Sequence, residues 1–285
     1  MHGTRTVQKL IEFLSDENQI QLMINALRND VVLLIKDLNG NHVIQRCLHH
    51  LSSGQRQFIY DAVAGRCVEV ATHRHGCCVL QRCIDYANES QRSQLLDEIT
   101  TNSLELVQDP FGNYVVQYVL DWGQEDINQE IMATFAGHIF ELSANKFSSN
   151  VIEKCLRLGP NRMRRQMVAE LMDTEKLRLL LLDSFANYVI QTGLTVCDPD
   201  QFAILSSCIR PMLHLVRNTP YGKKIENKLN KRHLQKGIRP ESIGPTRLAE
   251  SFGEISISDM LVPDQSEDDG PFSKTEPLDM LALKK

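Results

Sequence analysis

The chain has 285 residues, 42% of them hydrophobic and 24% charged, with a formal net charge of −5, so it can bury a substantial core as a globular or a repetitive protein. No apolar run approaches the roughly 20 residues that cross a bilayer, and the first residues, MHGTRTVQKL, lack the apolar stretch of a secretory signal. These features predict a cytoplasmic protein with no membrane partner, whose eight cysteines are thiols rather than disulfides.

Charge is distributed unevenly along the chain. From Pro240 onward there are ten acidic and four basic side chains, whereas the preceding part has 26 acidic and 27 basic ones. The last segment is rich in Ser, Asp, Glu and Pro and has no helical periodicity, so residues 236–285 are predicted to be a disordered acidic tail after a folded domain at 1–235. Because that domain is nearly neutral, bulk charge does not indicate a nucleic-acid partner.

A short pattern recurs every 36 to 38 residues along the predicted domain. Such a period is typical of solenoids built from stacked units. In chain order the copies are Gly3-Thr4-Arg5-Thr6-Val7-Gln8, Gly40-Asn41-His42-Val43-Ile44-Gln45, Gly76-Cys77-Cys78-Val79-Leu80-Gln81, Gly112-Asn113-Tyr114-Val115-Val116-Gln117, Ser148-Ser149-Asn150-Val151-Ile152-Glu153 and Ala186-Asn187-Tyr188-Val189-Ile190-Gln191. A last copy near Lys223 and Lys224, with Ile225-Glu226, has no reading amide and is interpreted as a C-terminal cap near 221–235.

Each copy is predicted to open a helix. Apolar residues recur three and four apart upstream of each copy, and turn sequences such as Asp109-Pro110-Phe111-Gly112 mark the helix starts. Within a copy, the second and sixth residues share a face, the third lies about 100° away on its shoulder, and the fourth and fifth point to the other side. The apolar pair is therefore predicted to be core, and the other three residues, here called the trio, are predicted to face outward.

The trios of this sequence resemble the reading motifs of the Pumilio (PUF) family of single-stranded RNA-binding proteins. NHxxQ, CxxxQ, NYxxQ and SNxxE occur in order at this period and cover nearly all of residues 1–235. The resemblance implies an all-α, right-handed solenoid of about 36-residue repeats that forms a curved superhelix, with one base read per repeat. It implies base-edge contacts from Thr4, Gln8, Asn41, Gln45, Cys77, Gln81, Asn113, Gln117, Ser149, Glu153, Asn187 and Gln191, and base stacking on Arg5, His42, Cys78, Tyr114, Asn150 and Tyr188.

Hydrogen-bonding chemistry assigns a base to each trio. Asn with Gln can offer donors at both ends and an acceptor between them, which suits uracil. A carboxylate can accept both adjacent donors of guanine, which suits Ser149 with Glu153. Cys77 with Gln81 leaves a small apolar group and one amide, which suits adenine. Because RNA runs antiparallel to the repeats in the family, the predicted site is 5′-UGUAU, followed by a less certain adenine at Thr4, Arg5 and Gln8.

The resemblance also implies a cellular role. Proteins of this family bind UGUA elements in messenger 3′ untranslated regions and recruit deadenylation, decay or repression factors, and the chain is expected to act as a monomer without a cofactor. A full domain of the family has eight repeats, so upstream repeats are expected to be missing here, or the solenoid is naturally shortened, and an apolar face should be open at the first unit.

Three other functions were weighed against this interpretation. The stretch HRHGCCVLQRC at 73–83 is dense in soft ligands, but it has no CxxC pair and no second cluster, so no metal site is predicted. A protein-binding solenoid of the armadillo or HEAT kind would need no amide or carboxylate code. Catalysis is not predicted, because no phosphate loop, Ser/His/Asp arrangement or carboxylate pair stands out from the repeats.

Overall fold

A computed structural model describes residues 2–234, and every regular element in that range is a helix. In chain order the α-helices are α1 (His2–Phe13), α2 (Glu17–Leu27), α3 (Val31–Lys36), α4 (Gly40–His50), α5 (Gln57–Ala64), α6 (Cys67–Ala71), α7 (Gly76–Tyr86), α8 (Glu89–Thr101), α9 (Ser103–Leu106), α10 (Gly112–Trp122), α11 (Glu125–Thr134), α12 (Ile139–Ser143), α13 (Ser148–Leu158), α14 (Asn161–Glu170), α15 (Thr174–Leu182), α16 (Ala186–Val196), α17 (Pro199–Ile209), α18 (Leu213–Val216) and α19 (Gly222–Leu234). The tail predicted for 236–285 lies outside the described residues.

Three kinds of helix alternate along the chain. The reading helices carry the trios and are α1, α4, α7, α10, α13, α16 and, in the last unit, α19. Each later unit begins with a leading helix (α2, α5, α8, α11, α14, α17) and a shorter connecting helix (α3, α6, α9, α12, α15, α18). Every reading helix packs against the next one, and leading helices α5, α8, α11, α14 and α17 also pack in succession. The predicted all-α solenoid is confirmed.

The apolar pairs of α4, α7, α10, α13 and α16 lie in the core, as predicted. These side chains are almost completely buried in the five central reading helices: Val43, Ile44, Val79, Leu80, Val115, Val116, Val151, Ile152, Val189 and Ile190. Cys83, two residues beyond Gln81 on α7, is also fully buried. The core is therefore continuous from one unit to the next, so each unit depends on its neighbours for burial of its apolar face.

A side-chain oxygen organises the turn before most reading helices. Asp109 Oδ1 accepts the backbone N–H of Gly112 and that of the residue before it, each at 2.8 Å. Asp37, Asp183 and Asn145 make the same pair of bonds before α4, α16 and α13. The backbone N–H groups of Gly40 and Asn39 that donate to Asp37 lower the pKa of this residue, because their hydrogen bonds favour the ionised carboxylate. These bonds also satisfy N–H groups that have no acceptor in the first turn of a helix.

The first residue of a reading helix lies against the end of the connecting helix before it. A Cβ atom added to Gly76 would come within 2.0 Å of the Val70 carbonyl oxygen, so no side chain fits there without displacement of backbone. In α13 a serine occupies this position, and its hydroxyl donates a 2.7 Å hydrogen bond to the Leu142 carbonyl. This close approach fixes where each reading helix begins relative to its own unit.

The first unit exposes an apolar groove of about 550 Å³, as the sequence predicted for this end of the solenoid. Its lining includes Leu10 and Leu22, and the nearby Phe13 is 80% exposed.

Among the described residues no single helix is long and apolar enough to cross a membrane. Helices α15 and α16 together have the length and composition of a membrane span, but they are bent by 116° relative to each other. Their apolar side chains are mostly buried in the solenoid core.

Replacing Gly76 with alanine tests the close approach. We expect Gly76→Ala to lower the free energy of unfolding by about 1 to 3 kcal/mol, because its methyl group collides with the Val70 carbonyl. Gly65→Ala is the control, since its added methyl group would meet no atom within 4 Å. Urea unfolding followed by circular dichroism measures both. Equal midpoints for the two variants would contradict the argument.

Candidate functional site

The three trio positions differ in exposure. The first residue is buried, with Asn41, Asn113 and Asn187 at 5%, 2% and 0% exposure. The shoulder residue is exposed in α1, α4, α13 and α16 and half-buried in α7 and α10, and the third residue is half-buried in most units. The prediction that the whole trio faces outward is therefore wrong at the first position. In α4, α10 and α16 the buried first residue contacts the third residue, which lies one helical turn further along.

The Asn–Gln pair of α10 forms a defined hydrogen-bonded unit. Asn113 Nδ2 donates to the backbone carbonyls of Asp109 and Pro110, at 2.8 and 3.0 Å. Gln117 Nε2 then donates to Asn113 Oδ1 at 2.9 Å. Both amide protons of the asparagine are thus used by the backbone, and the asparagine oxygen fixes which end of the glutamine amide carries the nitrogen.

The same arrangement recurs in α4 and α16. Gln45 Nε2 donates to Asn41 Oδ1 at 2.9 Å, and Gln191 Nε2 donates to Asn187 Oδ1 at 3.1 Å. In both helices the asparagine Nδ2 donates to two carbonyls of the preceding turn. Three units therefore present a glutamine amide in one orientation.

Cys77 replaces the asparagine in α7 and leaves the glutamine amide without this constraint. The Cys77 thiol lies 3.5 Å from the Arg74 carbonyl and 3.9 Å from Cys78 Sγ. The neighbouring Cys78 sulfur and burial raise the pKa of Cys77, so its thiol stays protonated at neutral pH. A neutral thiol is a poor acceptor, and Gln81 can turn its amide either way.

In α13 the third position is a carboxylate that the next unit also contacts. Glu153 Oε2 accepts from Thr192 Oγ1 at 2.6 Å and from Arg157 Nη2 at 2.8 Å. The same Arg157 nitrogen lies 3.0 Å from Thr192 Oγ1. Both contacts use Oε2, and within the described residues Oε1 accepts no hydrogen bond. Ser149 is buried below this carboxylate and contacts the Lys146 carbonyl at 3.4 Å.

The predicted stacking residues occupy the shoulder of each reading helix. Arg5, His42, Asn150 and Tyr188 are exposed, and Tyr188 retains 47% of its accessible surface. Tyr114 and Cys78 are half-buried, as are Thr4 and Gln8 of the first trio. The stack of helices therefore brings the predicted base-edge and stacking residues of successive units to equivalent positions on successive helices.

The soft-ligand stretch at 73–83 is explained by local structure. His73 replaces the turn-forming aspartate, and its Nδ1 accepts the backbone N–H of His75 at 3.2 Å. Across the part of the chain that the structure describes, no group of three or more His, Cys, Asp or Glu side chains is arranged to hold a metal ion.

Sequence reasoning missed a set of contacts that join neighbouring reading helices. In five of the six junctions between reading helices, the residue just after the third trio position contacts the preceding reading helix one turn beyond its trio, whereas Arg82 of α7 pairs with Asp85 of its own helix. The pairs are Arg46 with Glu12, Tyr118 with Asp85, Lys154 with Asp121, Thr192 with Arg157, and Lys228 with Thr195. These contacts, here called the ladder, recur at the trio period, and that period is the signal that could have revealed them.

The interpretation of the last copy needs a correction. Helix α19 begins at Gly222, as α10 begins at Gly112, so the positions equivalent to Asn113, Tyr114 and Gln117 are Lys223, Lys224 and Asn227. An amide therefore does occupy the third position. The sequence comparison aligned this copy one residue out of register, because neither lysine matches the residue types of the other trios.

Comparison with protein families gives a match over most of the domain. The model for the Pumilio-family RNA binding repeat matches six segments, at residues 1–27, 30–64, 66–100, 102–133, 138–172 and 179–209. The Pumilio domain-containing protein C6G9.14 of Schizosaccharomyces pombe is 48% identical over 240 residues, which are 84% of this chain and 35% of that protein. Pumilio homolog 12 of Arabidopsis thaliana is 44% identical over 81% of this chain and 39% of its own length.

Solved structures show the same architecture. The Puf4 RNA binding domain bound to an HO endonuclease RNA 3′ UTR recognition sequence is 41% identical, with a TM-score of 0.73 over 80% of this chain and 73% of that one. The RNA-binding domain of yeast Puf5p bound to SMX2 RNA is 31% identical, with a TM-score of 0.72 over 81% and 73%. The chain spans little more than a third of the length of each of these two curated relatives. It belongs to the Pumilio family of RNA-binding repeat proteins.

Proposed function

We propose that this chain binds single-stranded RNA in a sequence-specific manner, with one base at each reading helix and 5′-UGUAU as the core site. The observation that carries the proposal is the repetition of one geometry along the stack. From α4 to α16 a buried first residue recurs beside a shoulder residue that keeps accessible surface, at the spacing of the helices, and the third residue is half-buried in all of these helices except α16. The RNA-bound structures of similar Puf4 and Puf5p domains support the same ligand class.

Uracil is assigned to α4, α10 and α16 on the orientation of the glutamine amide. In α10, Asn113 Oδ1 holds one proton of Gln117 Nε2, so the remaining Nε2 proton and Oε1 form a donor and an acceptor in a fixed order. That order matches an adjacent carbonyl oxygen and the N3–H of uracil. The asparagine amide nitrogen is used by the backbone, so Asn113 acts on base choice through the orientation that it gives to the Gln117 amide.

Adenine is assigned to α7 because Cys77 provides no asparagine oxygen that would fix the orientation of the Gln81 amide. Adenine presents its amino donor and N1 acceptor in the opposite order to uracil, so the reading amide has to be turned over. Gln81 is free to turn because Cys77 offers it no strong acceptor. In this proposal the first trio residue sets base preference by controlling the orientation of the amide of the third trio residue, in addition to any contact that the first residue makes with the base.

Guanine is assigned to α13, where the third residue is a carboxylate. Glu153 Oε1 accepts no hydrogen bond from the described residues, whereas Oε2 already accepts from Thr192 and Arg157. Guanine N1–H and its amino group need two acceptors on one edge. We infer that Glu153 Oε1 accepts a hydrogen bond from one of these two guanine groups. The other guanine group then replaces or shares one of the hydrogen bonds that Oε2 accepts from Thr192 and Arg157. The ladder residue Thr192 thereby couples this unit to the next.

The cellular role is proposed from family membership. Binding to UGUA elements in messenger 3′ untranslated regions, with repression or decay through deadenylation factors, fits a cytoplasmic RNA-binding domain that acts as a monomer. The Puf4 domains in the solved structures are bound to 3′ UTR recognition sequences, which supports this class of target. The principal test is fluorescence anisotropy with labelled UGUAUA RNA against ACACUA RNA. Equal affinity for both would favour the protein-binding solenoid instead.

Removing a shoulder ring tests the stacking assignment. We expect Tyr114→Ala to weaken binding of UGUAUA RNA by about 1 to 3 kcal/mol without changing base preference, because a ring face does not distinguish base edges. Phe13→Ala is the control, since this ring is 80% exposed and lies outside the trios. Anisotropy titrations at one salt concentration measure both variants. Parent-like affinity of Tyr114→Ala would place that ring off the RNA path.

Converting the guanine unit tests the base assignments. Ser149→Asn with Glu153→Gln installs the pair that α4, α10 and α16 share, so preference should move from UGUAUA to UUUAUA. The loss of guanine affinity should be about 1 to 3 kcal/mol, the range for a bidentate base contact. Competition titrations with the two RNAs, for parent and double variant, measure the switch. Retained guanine preference would show that Glu153 is not the reader and that the proposed register is wrong.

A further inference from the structure

Helix α19 begins in the same way as the reading helices before it. Thr219 Oγ1 accepts the backbone N–H of Gly222 at 3.1 Å, as Asp109 does at the start of α10. A Cβ atom on Gly222 would lie 2.0 Å from the Val216 carbonyl oxygen, the same distance as for Gly76. Helix α19 also packs on α16, and the ladder continues into it through Lys228. Its trio positions are therefore on the same face as the other trios.

The residues at these positions differ in chemistry from every other trio. Lys223 and Lys224 hold the first and shoulder positions, and both are exposed, whereas the first position is buried in α4 to α16. Lys228 lies one turn beyond Lys224, so three ammonium groups share this side of α19. An ammonium group only donates hydrogen bonds, and a phosphate oxygen only accepts them. This set suits a backbone phosphate better than a base edge.

The charged groups around Lys223 and Lys224 leave both ammonium groups available to bind an anion. Within residues 3–230, neither Lys223 nor Lys224 takes part in an ion pair. Glu226 is the only carboxylate among residues 222–230, against three lysines, and α16 carries no charged side chain. Because the body of the chain is nearly neutral, this end of the reading surface is a local concentration of positive charge.

We propose that Lys223 and Lys224 form a phosphate-binding site that extends the RNA path one unit beyond the uracil at α16. The site takes the backbone of the nucleotides on the 5′ side of the UGUA core and does not select their bases. The family model matches no repeat after residue 209, so the helix lies outside the six matched repeats. The proposal rests on the proposed function, since it uses the register in which α16 reads the first uracil.

The test compares RNAs of different length on the full chain. UGUAUA, CAUGUAUA and an RNA with two abasic nucleotides before UGUAUA are titrated by fluorescence anisotropy against the parent and against Lys223→Ala/Lys224→Ala. We expect both 5′ extensions to raise parent affinity about three- to tenfold, and the double variant to lose this gain while binding UGUAUA as the parent does. The salt dependence of CAUGUAUA binding should also become shallower, by about 0.7 to 1.4 in logarithmic slope.

A matched control removes the same charge elsewhere. Arg162→Ala/Arg210→Ala takes two exposed cations from the α14 helix and the turn after α17, away from the trios, and should keep the gain. Loss of the gain in this control would mean that overall charge is responsible, and the proposal would be wrong. A gain that requires the bases C and A, or no gain with either extension, would also overturn it. Failure of the parent to prefer UGUAUA over ACACUA would instead reject the proposed function itself.

Discussion

The contact between the start of each reading helix and the end of the connecting helix before it is the constraint on which the rest of the structure depends. At Gly76 and Gly222 the backbone approaches a carbonyl oxygen so closely that a Cβ atom would lie 2.0 Å away. Because the helix start is fixed in this way, the first, second and fifth residues after it fall at the same angles in every unit. A row of trio positions in constant register therefore follows from packing alone.

The ladder carries this register from unit to unit. Its residues lie one turn beyond the trios, so they set the spacing of neighbouring helices without occupying the reading positions. The contacts of the ladder differ in type, from the Arg46–Glu12 ion pair to the Tyr118–Asp85 hydrogen bond, although they occur at equivalent positions of the reading helices. At Thr192 the ladder contact also reaches the third trio residue of the preceding unit. Neighbouring units are therefore coupled where a carboxylate replaces the usual amide.

The sequence predicted the period, the helical units and the buried apolar pairs, because these depend on spacing and residue size. It did not predict that Asn113 is buried with both amide protons on backbone carbonyls, since that depends on the geometry of the preceding turn. The sequence analysis also missed the ladder, because its contacts occur at equivalent positions but involve different residue types. For α19, residue types misled the alignment, and the common helix start at Gly222 corrected it.

In the proposed mode of RNA binding, affinity and selectivity arise at different atoms of this surface. The buried asparagines and the cysteine make few contacts that a base could use, yet they decide whether a glutamine amide is fixed or free to turn. In this proposal selectivity depends on buried hydrogen bonds that solvent does not weaken. The shoulder rings would supply stacking that any base satisfies. A nearly neutral body attracts RNA phosphates weakly overall, so positive charge placed at one end of the path, as on α19, has a larger effect on backbone binding than the same charge spread over the surface.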